Sequence, residues 1–261
     1  MEQITNTDTL LRTAQEEQTA LQAEPRPLDP ADSWARLTEA QLDPVVLKRH
    51  HIQTTQPGPS AAPYDRLRTR LLSHMRAAGH RRVAITAPTQ GCGSSTITAN
   101  LALSLARQSD LRVMVLDFNL RNPKLIHIFG LSEAGPRFSV LTGQRRNFDS
   151  TCLRVDENLG LSLNATALDD AAERLAHGRT ANLLDRIERD FAPDIMLFDL
   201  AALGPADDAI AALPLVDCAL LVARADKSTT REIDDAEHMV AENTTCLGVV
   251  LNGCRFAGSD V

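Results

Sequence analysis

Residues 87–102 read A-P-T-Q-G-C-G-S-S-T-I-T-A-N-L-A, and this stretch decides the fold of the chain. An apolar run at residues 82–87 leads into the glycines, and a helical stretch follows at about residues 94–108. A strand, a tight glycine turn and a helix start form a cradle for an anion. The glycines let backbone N–H groups turn inward, and the helix N-terminus adds partial positive charge. The stretch therefore predicts a phosphate-binding loop at the edge of a sheet.

The loop lacks the lysine that a phosphate-binding loop normally carries. Four residues match the expected pattern: Gly91, Gly93, Ser95 and Thr96. The position of the lysine holds Ser94 instead. The missing cation would have contacted a β- or γ-phosphate and is worth about a few kcal/mol of binding. The alternative interpretation is a Gly-Ser turn that only caps a helix.

Short apolar runs alternate with helical stretches through the rest of the chain. This alternation predicts a doubly wound, mostly parallel α/β sheet with helices on both faces, of the P-loop NTPase type. After the first run, the expected strands are residues 113–117, 195–199, 219–223 and 248–252.

Polar side chains end three of these runs. Asp117 and Asp199 each close an apolar strand, where a parallel sheet binds its ligand. Carboxylates at that edge suit Mg²⁺ and its waters. Asn252 ends the last strand, and its amide can both donate to and accept from the edge of an adenine ring.

Composition excludes several classes of function. The net charge is −7, so there is no broad basic face for nucleic acid. Five cysteines without a C-x-x-C pair argue against a disulfide framework or a zinc site. The N-terminus does not resemble a signal peptide and no apolar run is long enough to span a membrane, which predicts a cytoplasmic protein. Among 27 basic residues, the lysines are only Lys48, Lys124 and Lys227.

The composition changes near residue 60. Residues 1–60 are rich in Pro, Gln and Thr and predict a partly ordered N-terminal arm, with short helices near residues 9–23 and 32–40. A disordered tail is the alternative. Residues 61–261 are expected to form the P-loop domain.

Taken together, these segments resemble the bacterial tyrosine kinase (BY-kinase) family of capsule and exopolysaccharide synthesis. That family belongs with the partition and cell-division ATPases that use a deviant Walker-A loop. The resemblance spans residues 45–255. Besides the phosphate loop it rests on Y-D-R-L-R-T at 64–69, D-x-x-L-R-x-P at 117–123, L-V-D-C-A-L-L-V-A-R-A at 215–225 and V-L-N-G at 250–253.

The resemblance implies ATP and Mg²⁺ as cofactors, bound weakly or not at all because of Ser94. Arg121 is a candidate phosphate contact, and the alternative is a surface arginine paired with a nearby carboxylate. The magnesium ligands would be Ser95, Asp117 and Asp199. The full expected nucleotide site is Gly91, Cys92, Gly93, Ser94, Ser95, Thr96, Arg121 and Asn252.

The chain also departs from the family pattern at chemical positions. Asn119 replaces the second aspartate after the middle strand, and L-A-A at residues 200–202 replaces Thr-Pro-Pro. In the first helix, the family's Glu-Arg-Arg oligomerisation positions hold Ala62, Asp65 and Arg68. Tyr64 is the single tyrosine, so the chain has no C-terminal tyrosine cluster to phosphorylate.

These departures predict a degenerate, kinase-like regulatory subunit of exopolysaccharide biosynthesis and export, with weak or no phosphotransfer. No residue is assigned a catalytic role. Its expected partner is the cytoplasmic segment of an inner-membrane polysaccharide co-polymerase, or chain-length determinant, with self-association into a homo-oligomer also open. Two alternatives remain. One is an active tyrosine kinase acting on other proteins, and the other is a partition-type ATPase.

Overall fold

The structure is a computed structural model that describes residues 29–131, 148–204 and 207–254. Within these ranges, one sheet contains strands from the whole length of the chain. Its members are β1 (Thr38–Glu39), β2 (Arg82–Thr86), β3 (Val113–Asp117), β4 (Leu153–Val155), β5 (Leu159–Ser162), β6 (Ile195–Asp199), β7 (Cys218–Arg224) and β8 (Thr245–Asn252).

Helices cover this sheet on both faces, and two separate apolar clusters fill the spaces between helices and strands. The helices are α1 (Pro30–Ala35), α2 (Pro44–Arg49), α3 (Ala62–Ala78), α4 (Ser94–Ala106), α5 (Leu125–Ile128), α6 (Ala171–Ala176), α7 (Gly178–Phe191), α8 (Asp208–Ala212) and α9 (Thr230–Ala241).

The strand order is β1-β4-β5-β3-β6-β2-β7-β8, and the strands are parallel except where β4 pairs with β5. The central strands are buried along almost their whole length, as the apolar runs predicted for a sheet covered on both faces. The fold class expected from the sequence is confirmed. Because the six strands from β5 to β8 run in parallel, the carboxyl ends of β2, β3 and β6 meet at one edge.

The sheet extends further than the apolar runs indicated. Strands β1, β4 and β5 add an edge that was not predicted, because each is short and L-R-V and L-G-L-S lack a continuous apolar pattern. The helix expected at residues 32–40 was also wrong in extent: α1 ends at Ala35, and Thr38 pairs with Leu153 as part of β1. Pairing with β4 therefore prevails over local helix propensity here.

The segment before α3 packs against the rest of the chain. Trp34 is 4% exposed and meets Phe191 edge-on, with ring centroids 6.3 Å apart. Its indole Nε1 donates a hydrogen bond of 2.7 Å to the carbonyl of Phe191. Deeper in, the buried Asn100 of α4 accepts from the backbone N–H of Gln53 at 2.8 Å.

The helix expected at residues 9–23 lies outside the described residues, and the division of the chain at residue 60 stays a prediction.

Trp34→Phe should lower the free energy of unfolding by about 2 kcal/mol, because the Phe191 carbonyl loses its donor and the smaller ring leaves a cavity. Urea denaturation at neutral pH measures the change. Val45→Ala serves as a control, since Val45 is an apolar residue that is 66% exposed. Equal stability of the Trp34→Phe variant and the native chain would show that this packing contributes little.

Across the part of the chain that the structure describes, no helix has the length and apolar character needed to cross a membrane.

Candidate functional site

The glycine loop lies between β2 and α4, at the edge of the sheet where the strand ends meet. Gly91 and Gly93 adopt left-handed backbone angles, with φ of 80° and 95°. Such angles strain any residue with a side chain. A Cβ on Gly93 would also collide with the amide nitrogen of Asn252. Both the turn and this close approach therefore require glycine.

Helix α4 starts directly at the loop, with Gly93 as its N-cap residue and Ser94 as its first residue. Ser94 is half-buried, while Ser95 is buried. The Ser95 hydroxyl contacts the carboxylate of Asp199. Thr98, one turn further along the helix, donates to Asp199 Oδ1 at 3.2 Å. The first turn of α4 is thereby connected to the end of β6.

Two carboxylates lie side by side beneath the loop. Asp117 ends β3 and Asp199 ends β6, and the two are register partners in the sheet. Asp117 is 2% exposed and Asp199 is fully buried. The Oδ2 atom of each has no hydrogen-bond partner among the described residues. Orphaned buried carboxylate oxygens are costly, so this arrangement indicates a site that a proton or a cation completes.

Burial raises the pKa of both carboxyl groups. For Asp117 the pKa lies well above its ordinary value because of burial first and the charge of Asp199 second. Burial raises the pKa of Asp199 to about 7, although hydrogen bonds from Ser95 and Thr98 oppose the shift. A pair that shares this environment holds a proton near neutral pH when no cation is bound.

The donor set at this edge fits magnesium. Mg²⁺ prefers hard oxygen ligands, and the pair offers two carboxylate oxygens without partners among the described residues, together with the hydroxyl of Ser95, which contacts Asp199. The structure thus brings together Ser95, Asp117 and Asp199, the three residues predicted as metal ligands. That they bind Mg²⁺ stays a prediction.

The two predicted nucleotide contacts outside the loop have partners within the chain. Arg121 donates from Nε and Nη2 to the buried carboxylate of Asp208, at 2.8 and 2.9 Å. This pairing matches the alternative interpretation of Arg121 and further raises the pKa of its guanidinium. Asn252 donates to the carbonyl of Cys92 at 2.9 Å. Phosphate contact by Arg121 and adenine recognition by Asn252 remain predictions.

Sequence reasoning missed a second group of residues at the loop. After β7, the chain turns and places Arg224 and Lys227 against the loop, where they donate to the carbonyls of Gly91 and Gln90 respectively. The Arg224 contact measures 2.9 Å. Lys227 is 137 residues from its acceptor, so no local pattern reveals the contact. The scarcity of lysine was the only signal that could have directed attention to it.

Asp65 and Arg68 of α3 stand at positions that the family resemblance assigns to oligomerisation, and both form hydrogen bonds within the chain. Asp65 accepts hydrogen bonds from Ser104 at 2.6 Å and from the guanidinium of Arg107. Arg68 donates to the carbonyl of Ser104 at 2.8 Å. Both side chains therefore join α3 to α4, while self-association through this helix stays a prediction.

Curated relatives with similar sequences are named as a tyrosine-protein kinase and as a transport protein of succinoglycan biosynthesis. The protein EpsB of Ralstonia solanacearum is 32% identical over 198 residues, which is 74% of this chain and 26% of EpsB. The succinoglycan biosynthesis transport protein ExoP of Rhizobium meliloti is 30% identical over 178 residues, which is 66% of this chain and 22% of ExoP. The chain thus spans about a quarter of the length of these relatives. No protein-family model matches it.

Solved structures share the fold. The kinase domain of Escherichia coli tyrosine kinase ETK superposes with a TM-score of 0.68 at 21% identity, covering 87% of this chain and 91% of that one. The septum site-determining protein MinD of Pyrococcus horikoshii, complexed with Mg-ADP, superposes with a TM-score of 0.55 at 20% identity, covering 66% and 69%. The chain is therefore a relative of the bacterial tyrosine kinases in sequence, and its fold is the one that their kinase domains share with MinD.

Proposed function

We propose that the chain is a kinase-like regulatory module that binds Mg-ATP weakly at the loop of residues 87–96 and transfers phosphate slowly or not at all. The observation that carries this proposal is Ser94 at the first position of α4, directly above a retained carboxylate pair. The scaffold for nucleotide binding is present, and the side chain that should contact the phosphates is a neutral hydroxyl.

Phosphoryl transfer depends on positioning and on neutralising charge at the γ-phosphate. In this chain the loop amides and the N-terminus of α4 would orient the phosphates. Asp117 and Asp199 would hold Mg²⁺, which supplies charge neutralisation when it is bound. Asn119 provides no third carboxylate. Arg121 forms an ion pair with Asp208, so its positive charge is already compensated.

Titration of purified protein with Mg-ATP tests the binding step, by calorimetry or with a fluorescent ATP analogue. We expect a dissociation constant in the range of about 0.1–1 mM, since the loss of one charge-assisted contact weakens binding by about 10- to 100-fold. A parallel assay measures phosphate transfer to a tyrosine-containing polypeptide. Tight binding together with rapid turnover would instead favour an active tyrosine kinase. Absence of binding would contradict the nucleotide-binding part of the proposal.

The process in which we propose that the module acts is polysaccharide export. Relatives include ExoP, whose name places it in succinoglycan biosynthesis and transport. We therefore propose that the module acts on the cytoplasmic segment of an inner-membrane polysaccharide co-polymerase and tunes polymer length or export. Co-precipitation of the purified chain with such segments tests the interaction. A Trp34→Phe variant controls for loss of fold, because Trp34 lies in the core rather than on a free surface.

A further inference from the structure

The turn that follows β7 is built to reach the glycine loop. Asp226 adopts a left-handed angle, with φ of 62°, which reverses the chain. Ser228 then caps the turn, because its backbone N–H donates to the carbonyl of Arg224 at 2.9 Å and its hydroxyl accepts from the Arg224 N–H at 3.0 Å. The same hydroxyl lies 3.5 Å from Cys92 Sγ in the loop. The turn and the loop therefore form one connected unit.

This unit carries two cations whose partners are neutral. Arg224 donates to the carbonyl of Gly91 at 2.9 Å, and the ammonium of Lys227 donates to the carbonyl of Gln90. Both acceptors are backbone carbonyls, although the charge of Lys227 also acts on Glu232, whose pKa is lowered chiefly by hydrogen bonds from Thr229 and in addition by this ammonium. A carbonyl accepts a hydrogen bond without cancelling charge. The loop is thus flanked by positive charge that its own hydrogen-bond acceptors, the two carbonyls, do not neutralise.

Lys227 also keeps donors for a further ligand. An ammonium has three N–H donors, and one of them is used on Gln90. The side chain is exposed, so the remaining donors are accessible. A Cβ on Gly91 would come within 3.0 Å of Lys227 Nζ. A side chain at position 91 would therefore displace the ammonium, and glycine there keeps Lys227 close to the loop backbone.

An independent observation indicates that the loop holds a ligand. The Oδ2 atoms of Asp117 and Asp199 are buried without partners at the same edge of the sheet. Asp199 is connected through Thr98 to the helix that begins at Ser94. Carboxylate oxygens without partners and cations that contact the loop match a polyphosphate with its divalent ion, which presents negative oxygens and a positive metal together.

We propose that Lys227, reaching the loop from the β7–α9 turn, supplies the positive charge that is missing at Ser94 and so binds the phosphates of a nucleoside triphosphate. The inference rests on the proposed function, because it assigns a residue to the same nucleotide site. In this arrangement the charge comes from a part of the chain far from the loop. Arg224, which holds the neighbouring carbonyl, positions the loop for the contact.

The experiment compares Mg-ATP binding by the full chain with that of Lys227→Ala, Lys227→Gln and Lys227→Arg. Inorganic triphosphate serves as a second probe, by competition, because it lacks the base and the ribose. We expect Lys227→Ala to weaken both ligands by about 10- to 100-fold. Lys227→Gln retains a donor for the Gln90 carbonyl without the charge and should be equally weak. Lys227→Arg should retain most of the affinity.

Lys48→Ala is the matched control, since it removes the same charge from the exposed surface of α2 and should leave binding unchanged. Native affinity in Lys227→Ala, alongside binding by the wild-type chain, would overturn this inference and leave the proposed function intact. Full affinity in Lys227→Gln would show a structural role for the side chain and would equally overturn it. Failure of the wild-type chain to bind either probe would overturn both proposals.

Discussion

Ser94→Lys should tighten Mg-ATP binding by about 10- to 100-fold, because it restores a charge-assisted contact worth about 1.5–3 kcal/mol. The substituted residue starts α4 and is half-buried, so a longer side chain extends along the loop rather than into the core. The loop amides, the helix N-terminus and the carboxylate pair are already in place beneath it. Position 94 itself lacks a cation.

Calorimetric titration with Mg-ATP measures this gain, and Ser94→Gln is the control of nearly equal length without charge. If the pocket is intact, Gln should give little or no gain. The combination of Ser94→Lys with Lys227→Ala should recover most of the affinity that Lys227→Ala loses, since the two lysines would serve the same phosphates. Unchanged affinity in Ser94→Lys would contradict this prediction and show that a cation at position 94 does not contact the phosphates.

The second large effect is a loss of stability as pH rises. Burial raises the pKa of Asp199 to about 7 from an ordinary value of 3.8, and raises that of Asp117 as well. Between about pH 4 and pH 7, the folded chain therefore still holds a proton that the unfolded chain has already released. Stability contributed by this proton is complete below pH 4 and is lost as pH rises through 7. One pKa unit corresponds to about 1.4 kcal/mol, so the metal-free chain should lose about 4 kcal/mol across this window.

Urea denaturation at a series of pH values between 5 and 8, in the presence of a chelator, measures the slope. Asp199→Asn keeps the shape of the side chain without an ionisable proton, so it should flatten the profile and raise stability at pH 8. Magnesium should raise the stability of the native chain at pH 8 and have less effect on the variant, because the deprotonated pair is the ligand. The same slope in both proteins would show that other groups govern the pH dependence.

Much of the site follows from local pattern alone. The glycine loop, the strand runs at residues 113–117 and 195–199, and the carboxylates that end them are all readable in the chain. They are readable because glycine conformation, helix starts and alternating apolar runs depend on neighbouring residues. These features were sufficient to predict the parallel sheet and to place Asp117 near Asp199 at one edge.

Other features depend on which strands become neighbours. The contact of Asn252 with Cys92 joins residues 160 positions apart, and that of Lys227 with Gln90 joins residues 137 positions apart. Apolar runs show that strands exist but carry little information about their order, so the sequence could not place the turn after β7 beside the loop. The pairing of Arg121 with Asp208 likewise required α8 to pack near the end of β3.

The sequence by itself determined the loop, its missing lysine and the carboxylates beneath it, because those depend on residue type and short spacing. The tertiary structure alone decided where the remaining cations lie. It placed β7 next to β2 and thereby brought Arg224 and Lys227 to the loop, while Asp208 engaged Arg121. Charge is a property of single residues, whereas its position in space depends on strand order and on packing between distant segments.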